Sequence, residues 1–160
     1  MSTKMSQADH RAITTTNRKA LQWHSGNDMA WMRDYSRMTV NAYTGIAEYE
    51  WTTCDENENL IQFKLTVDLK DEQGNCTRLS AYRAIFKAFV TRGIEYATTA
   101  QESSDSDKRW HYAQQAEDMA VFAQFFDEAA YFELGAEADE DGIGTKLGDA
   151  IDKLNEPCAA

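Results

Sequence analysis

Between positions 61 and 69 the chain alternates without a break: Ile61, Phe63, Leu65, Val67 and Leu69 are apolar, and Gln62, Lys64, Thr66 and Asp68 between them are polar. A two-residue period sends successive side chains to opposite faces of an extended strand, so this segment predicts a strand with one face buried and one wet. Upstream, Tyr49, Trp51 and Thr53 keep the same period, and the polar run 55–59 is a natural hairpin connection. The hairpin is expected over about 45–70. A turn at 71–75, Asp-Glu-Gln-Gly-Asn, lets 76–79 pair as a third short strand, and 39–44 is a further strand candidate.

Elsewhere the pattern has helical spacing. Residues 7–24 predict a first helix with Ala8, Ala12, Ala20 and Leu21 as its apolar members, weakened by three successive threonines at 14–16. Ser25-Gly26-Asn27-Asp28 breaks it, and Met29, Met32 and Tyr35 then share a face of a short second helix. After Ser80, Tyr82, Ile85, Phe86 and Phe89 mark a helix to about Arg92, with Gly93 where a C-terminal cap would stand. A polar loop is expected over 97–106, with Ser104 and Asp107 resembling a capping box. A long helix, about 105–134, follows and is closed by Gly135, and a short one surrounds Ile143, Leu147, Ile151 and Leu154.

The long helix is apolar on two sides. Tyr112, Ala116, Met119, Ala123, Phe126, Ala130 and Leu134 form one stripe, and Val121, Phe122, Phe125, Ala129 and Phe132 gather on another. Such a helix either lies at the centre of the fold or covers its second side with a sister subunit or another protein. Helices around a few antiparallel strands make the expected fold class α+β, a small antiparallel sheet packed against helices. The 160 residues are expected to form a single domain, 1–160, with 1–6 and 156–160 frayed.

Composition narrows the class. A hydrophobic fraction of 42%, with seven Phe, seven Tyr and four Trp, is too rich for a disordered chain. No run approaches the roughly 18 apolar residues of a membrane span, and the first residues carry no apolar signal core, so the expected address is the cytoplasm, with no membrane association. Cys54, Cys76 and Cys158 are odd in number and far apart, which suggests free thiols and neither a disulfide framework nor a zinc site.

The net charge is −11 and is unevenly spread, reaching −11 within 101–160 alone while 77–100 carries +3. An acidic C-terminal half repels nucleic acid phosphates and favours partners with a basic surface. No reaction motif stands out. The run Glu137-Ala138-Asp139-Glu140-Asp141-Gly142 has the alternating carboxylates that open a calcium loop, but the twelfth position from Glu137 is Gly148, where a bidentate carboxylate belongs. It reads as surface charge, and no metal or cofactor is expected. His10, His24 and His111 are scattered, and Asp107 four residues before His111 fits an ordinary helix contact.

Three functional classes remain. The favoured one is a non-enzymatic acidic interaction protein, an inhibitor or adaptor for a basic or nucleic-acid-handling protein, in the manner of nucleic-acid mimics and of accessory proteins of phages and other mobile elements. Its expected contact residues are Glu117, Asp118, Asp127, Glu128, Glu133, Glu137, Asp139, Glu140 and Asp141, with Phe122, Phe125 and Phe132 as anchors. The second class uses Arg78, Arg83, Lys87 and Arg92, interleaved with Tyr82 and Phe86, to meet nucleic acid directly. The competing reading of those cations is pairing with the chain's own carboxylates. The third class is a small enzyme working through Asp, Glu and His.

Overall fold

A computed structural model describes residues 4–26, 37–54, 57 and 60–156. In chain order the elements are α1 (Gln7–Gly26), β1 (Arg37–Asn41), β2 (Ile46–Cys54), β3 (Leu60–Asp68), α2 (Arg78–Glu102), α3 (Ser106–Leu134) and α4 (Ile143–Leu154). The class is α+β: three antiparallel strands in the order β1-β2-β3 pack one face against helices.

The alternation in β3 is realised. Phe63, Val67 and Leu69 are buried, while Gln62, Lys64, Thr66 and Asp68 face solvent. Pairing of Tyr49 with Leu65 and of Trp51 with Phe63 puts the apolar side chains of β2 and β3 on the same face, toward the helices. Trp51 stacks on Phe63 with ring centres 4.0 Å apart. Phe89 of α2 stacks on Phe122 of α3 at 4.2 Å, and Tyr49 meets Phe89 edge-on at 5.0 Å. These rings join sheet and helices into one aromatic core.

The third strand is β1, which takes up 39–41 of the 39–44 candidate and starts at Arg37, while 76–79 forms no strand. Residues 71–75 do turn, with the Asp71 carboxylate accepting from the Gln73 and Asn75 amides, but the chain then enters α2 directly. Thr77 caps that helix, taking the Ser80 amide while the Ser80 hydroxyl takes the Thr77 amide. The outer edge of β1 is covered: the Val40 carbonyl accepts from His10 Nε2 at 2.8 Å and the Ala42 carbonyl from the Met5 amide at 2.8 Å. Met5 is itself buried, so the fraying expected of 1–6 does not extend to it.

Helix α1 survives its threonines because their hydroxyls bond back to carbonyls one turn earlier, Thr14 to His10, Thr15 to Arg11 and Thr16 to Ala12. It buries Ile13, Thr16, Asn17 and Ala20, leaving Ala8 exposed. The buried Asn17 accepts the Tyr49 hydroxyl through Oδ1 at 2.8 Å, which gives the buried phenol and the amide oxygen a partner each. The short helix expected around Met29, Met32 and Tyr35 lies outside the described residues.

Two further expectations are corrected by packing. Helix α2 does not stop at Arg92 but runs through Gly93 to Glu102, and the loop expected over 97–106 shrinks to 103–105. A Cβ at Gly93 would lie 2.9 Å from Leu147 Cδ2 and 3.1 Å from Met119 Cβ, so the glycine is there for close approach of α4 and α3. The cap of α3 is Asp105, whose carboxylate accepts from the Asp107 and Lys108 amides, in place of the Ser104–Asp107 box.

Helix α3 is central for most of its length: Ala116, Met119, Phe122, Ala123, Phe126 and Ala130 are buried. Its last turn is different. Tyr131 is 64% exposed, Phe132 79% and Leu134 40%. Gly135, at φ 61°, closes the helix, donating to the Tyr131 carbonyl while Ala136 donates to Ala130. Among the described residues no helix is long and apolar enough to cross a membrane.

Candidate functional site

The acidic residues predicted as one surface divide into held and uncommitted groups. Arg78 reaches Asp9 of α1 at 2.9 Å and Glu133 of α3 at 3.1 Å. Glu133 also accepts the Tyr82 hydroxyl, 3.0 and 3.1 Å from its two oxygens. Arg83 pairs with Glu140 at 2.8 Å and donates to the Glu137 carbonyl at 3.0 Å, and Lys87 lies 3.6 Å from Asp141. Asp139 accepts from the amides of Ile143 and Gly144, both at 2.9 Å, and so caps α4.

The basic segment of α2 is therefore engaged along its length. Arg92 adds an ion pair to Glu95 at 3.3 Å, a bond to the Lys64 carbonyl and a position over the Phe63 ring. Tyr82 and Phe86, the aromatics interleaved with these cations, are buried and have no face to offer a base. Burial, with help from Glu133 and against Thr16, pushes the Tyr82 phenol up to about 12.

Of the others, Asp127, Glu128 and Glu137 gather at the exposed end of α3. Asp127, Glu128, Tyr131 and Phe132, with Ala136, Glu137 and Asp139 beyond the helix, line an open depression of about 410 Å³. Asp127 stands one turn from Tyr131 and Glu128 one turn from Phe132, so each ring has a carboxylate beside it on the helix surface. The two rings meet edge to face, 5.2 Å between centres and 82° between planes. Glu128 accepts from Gln124 at 3.1 Å, and among the described residues Asp127 and the Glu137 carboxylate have no cation within ion-pair distance. Among the described residues no Lys or Arg lines the depression, and the last turn of α3 holds no basic residue, so the negative end of the helix dipole is uncompensated from within its own helix.

The aromatic residues predicted as anchors separate. Phe132 is on the surface, whereas Phe122 is 0% exposed and belongs to the core, and Phe125 is half-buried against it. Glu117 and Asp118 sit half-buried two to three turns back along α3, away from the depression. The reading from sequence missed Tyr131; the i, i+4 repeat of Asp127-Glu128 with Tyr131-Phe132 was the signal present for it.

A second depression, about 550 Å³, lies between the 71–75 turn, the start of α2 and the 138–143 loop. Its Arg83 and Lys87 are paired with Glu140 and Asp141, so these two cations are already engaged. Among the described residues no group of His, Cys, Asp and Glu is placed to hold a metal ion. Cys76 is a free, half-buried thiol whose burial raises its pKa. His10 spends Nε2 on the Val40 carbonyl, and His111 packs edge-on against Trp110.

No family model, curated protein or solved structure matches this chain.

Proposed function

We propose that this protein is a non-enzymatic binding module for a basic protein, an inhibitor or adaptor that engages its partner through the exposed end of α3. The observation that carries the reading is the pair of adjacent, mostly exposed rings, Tyr131 and Phe132, at the mouth of a depression walled by carboxylates, with no cation among its described lining residues. Exposed neighbouring aromatics on a rigid helix supply contact area at small entropic cost, and fixed negative charge speeds and orients the approach of a basic surface. The surface is narrower than a general acidic face, because Glu133, Asp139, Glu140 and Asp141 are committed to the fold.

Affinity capture from a cell lysate tests this with the wild-type chain and a Tyr131→Ala/Phe132→Ala double variant. The expected result is a partner retained by the wild type at low salt, released as salt rises, and lost with the double variant. Capture that ignores both salt and the two substitutions refutes the reading.

A further inference from the structure

Resting on that reading, we infer that the depression at the end of α3 recognises arginine side chains of the partner, in preference to lysine. The two rings meet edge to face, at 82° and 5.2 Å, so each holds the other in place, and at 64% and 79% exposure their outer faces remain open to a ligand. A planar guanidinium stacks on an aromatic face while directing its N–H fork to oxygens in its own plane, whereas an ammonium presents a compact, strongly hydrated point charge. The oxygens are in place: Asp127 and Glu128 lie one helical turn below the rings, and Glu137 closes the far wall. Carboxylates near exposed rings are the acceptor set that charge-assisted, forked recognition of arginine uses.

Charge complementarity also selects against a second copy of this chain as the occupant through the same surface. Two such patches would bring Asp127, Glu128 and Glu137 of one molecule against their counterparts in another, on a protein of net charge −11. An arginine-bearing segment instead adds the positive charge that neither the walls nor the last helical turn provides.

The test uses two fluorescein-labelled dodecapeptides of equal charge, alternating Arg-Gly and alternating Lys-Gly, titrated by anisotropy against the full chain at low salt. The arginine peptide is expected to bind about tenfold more tightly, with Tyr131→Ala or Phe132→Ala erasing the difference and Trp110→Ala, an exposed aromatic elsewhere, preserving it. Equal binding of the two peptides overturns the arginine preference and leaves the basic-partner reading standing. Absence of binding by either peptide overturns both. A preference that survives loss of both rings overturns the assignment to this depression.

Discussion

Replacing Glu133 and replacing Glu137 should have opposite consequences, although both are carboxylates within five residues of each other on one acidic surface. The Glu133 carboxylate accepts the Tyr82 hydroxyl at 3.0 Å and the Arg78 guanidinium at 3.1 Å. Tyr82 is 0% exposed, so Glu133→Ala leaves its hydroxyl only the long 3.5 Å contact to Thr16 Oγ1, a loss of about 1–3 kcal/mol. Arg78 keeps Asp9 at 2.9 Å, and the partly exposed pair it loses adds at most about 1 kcal/mol. For a chain of this size the sum lowers Tm by roughly 2–16 °C. Glu137→Ala removes an exposed side chain while leaving the backbone carbonyl that holds Arg83, so stability should change by no more than about 0.5 kcal/mol. In the peptide titration the order reverses: Glu137→Ala weakens the arginine peptide several-fold, and Glu133→Ala, measured well below its Tm, does not. Far-UV circular dichroism on heating and anisotropy at 15 °C give the two readouts. A Glu133→Ala protein that melts with the wild type, or equal loss of binding by both variants, refutes the division into held and uncommitted carboxylates.

Gly93→Val should destabilise the protein by about 1–3 kcal/mol in urea denaturation, since the new side chain enters space held by Leu147 and Met119, while a Gly93→Val/Leu147→Ala double variant should recover part of that loss. Tyr49→Phe should cost about 1–2 kcal/mol by leaving the buried Asn17 side chain without its 2.8 Å donor, and full stability in the variant would show that Asn17 finds another. Alkaline pH should unfold the chain. Burial raises the phenols of Tyr49 and Tyr82, the latter to about 12, so above pH 10 the unfolded chain releases protons that the folded one retains. Stability is therefore complete below pH 10 and falls as pH climbs toward 12, by up to about 1.4 kcal/mol per pH unit for each group. Tyr82→Phe should flatten the 10–12 portion of a stability-against-pH curve, and an unchanged slope refutes the assignment.

What the sequence disclosed, and what it withheld, follows the range of the interactions involved. Strand β3 was legible because its period is a property of neighbouring residues, and α3 and α4 because their apolar spacing and the closing Gly135 are equally local. Residues 76–79 read as a strand because a turn at 71–75 precedes them, yet the Thr77–Ser80 box, with serine in place of the more familiar glutamate, had already committed them to a helix entry. Gly93 looked like a stop because propensity is judged residue by residue; the helix continues because Leu147, over fifty positions away, fills the space a side chain would take.

The site was legible in kind but not in extent, and the reason is the same helix α2 that seemed to offer a rival function. Arg78, Arg83 and Lys87 neutralise Glu133, Glu140 and Asp141 only because α2 lies beside the end of α3 and the loop after it, a proximity no local pattern encodes. Those pairs subtract from the acidic surface, yet they also shape it. Arg83, holding both Glu140 and the Glu137 carbonyl, ties the 137–140 loop to α2, and Asp139 anchors the loop's other end to α4. A loop fixed at both places cannot fold back over Tyr131 and Phe132 without breaking charge-assisted contacts, so the rings stay uncovered. The neutralised carboxylates thus act in recognition by placement, and Arg83→Ala should weaken arginine-peptide binding although Arg83 itself does not line the depression. Unchanged affinity in that variant, with the fold intact by circular dichroism, would show that the loop keeps its position unaided.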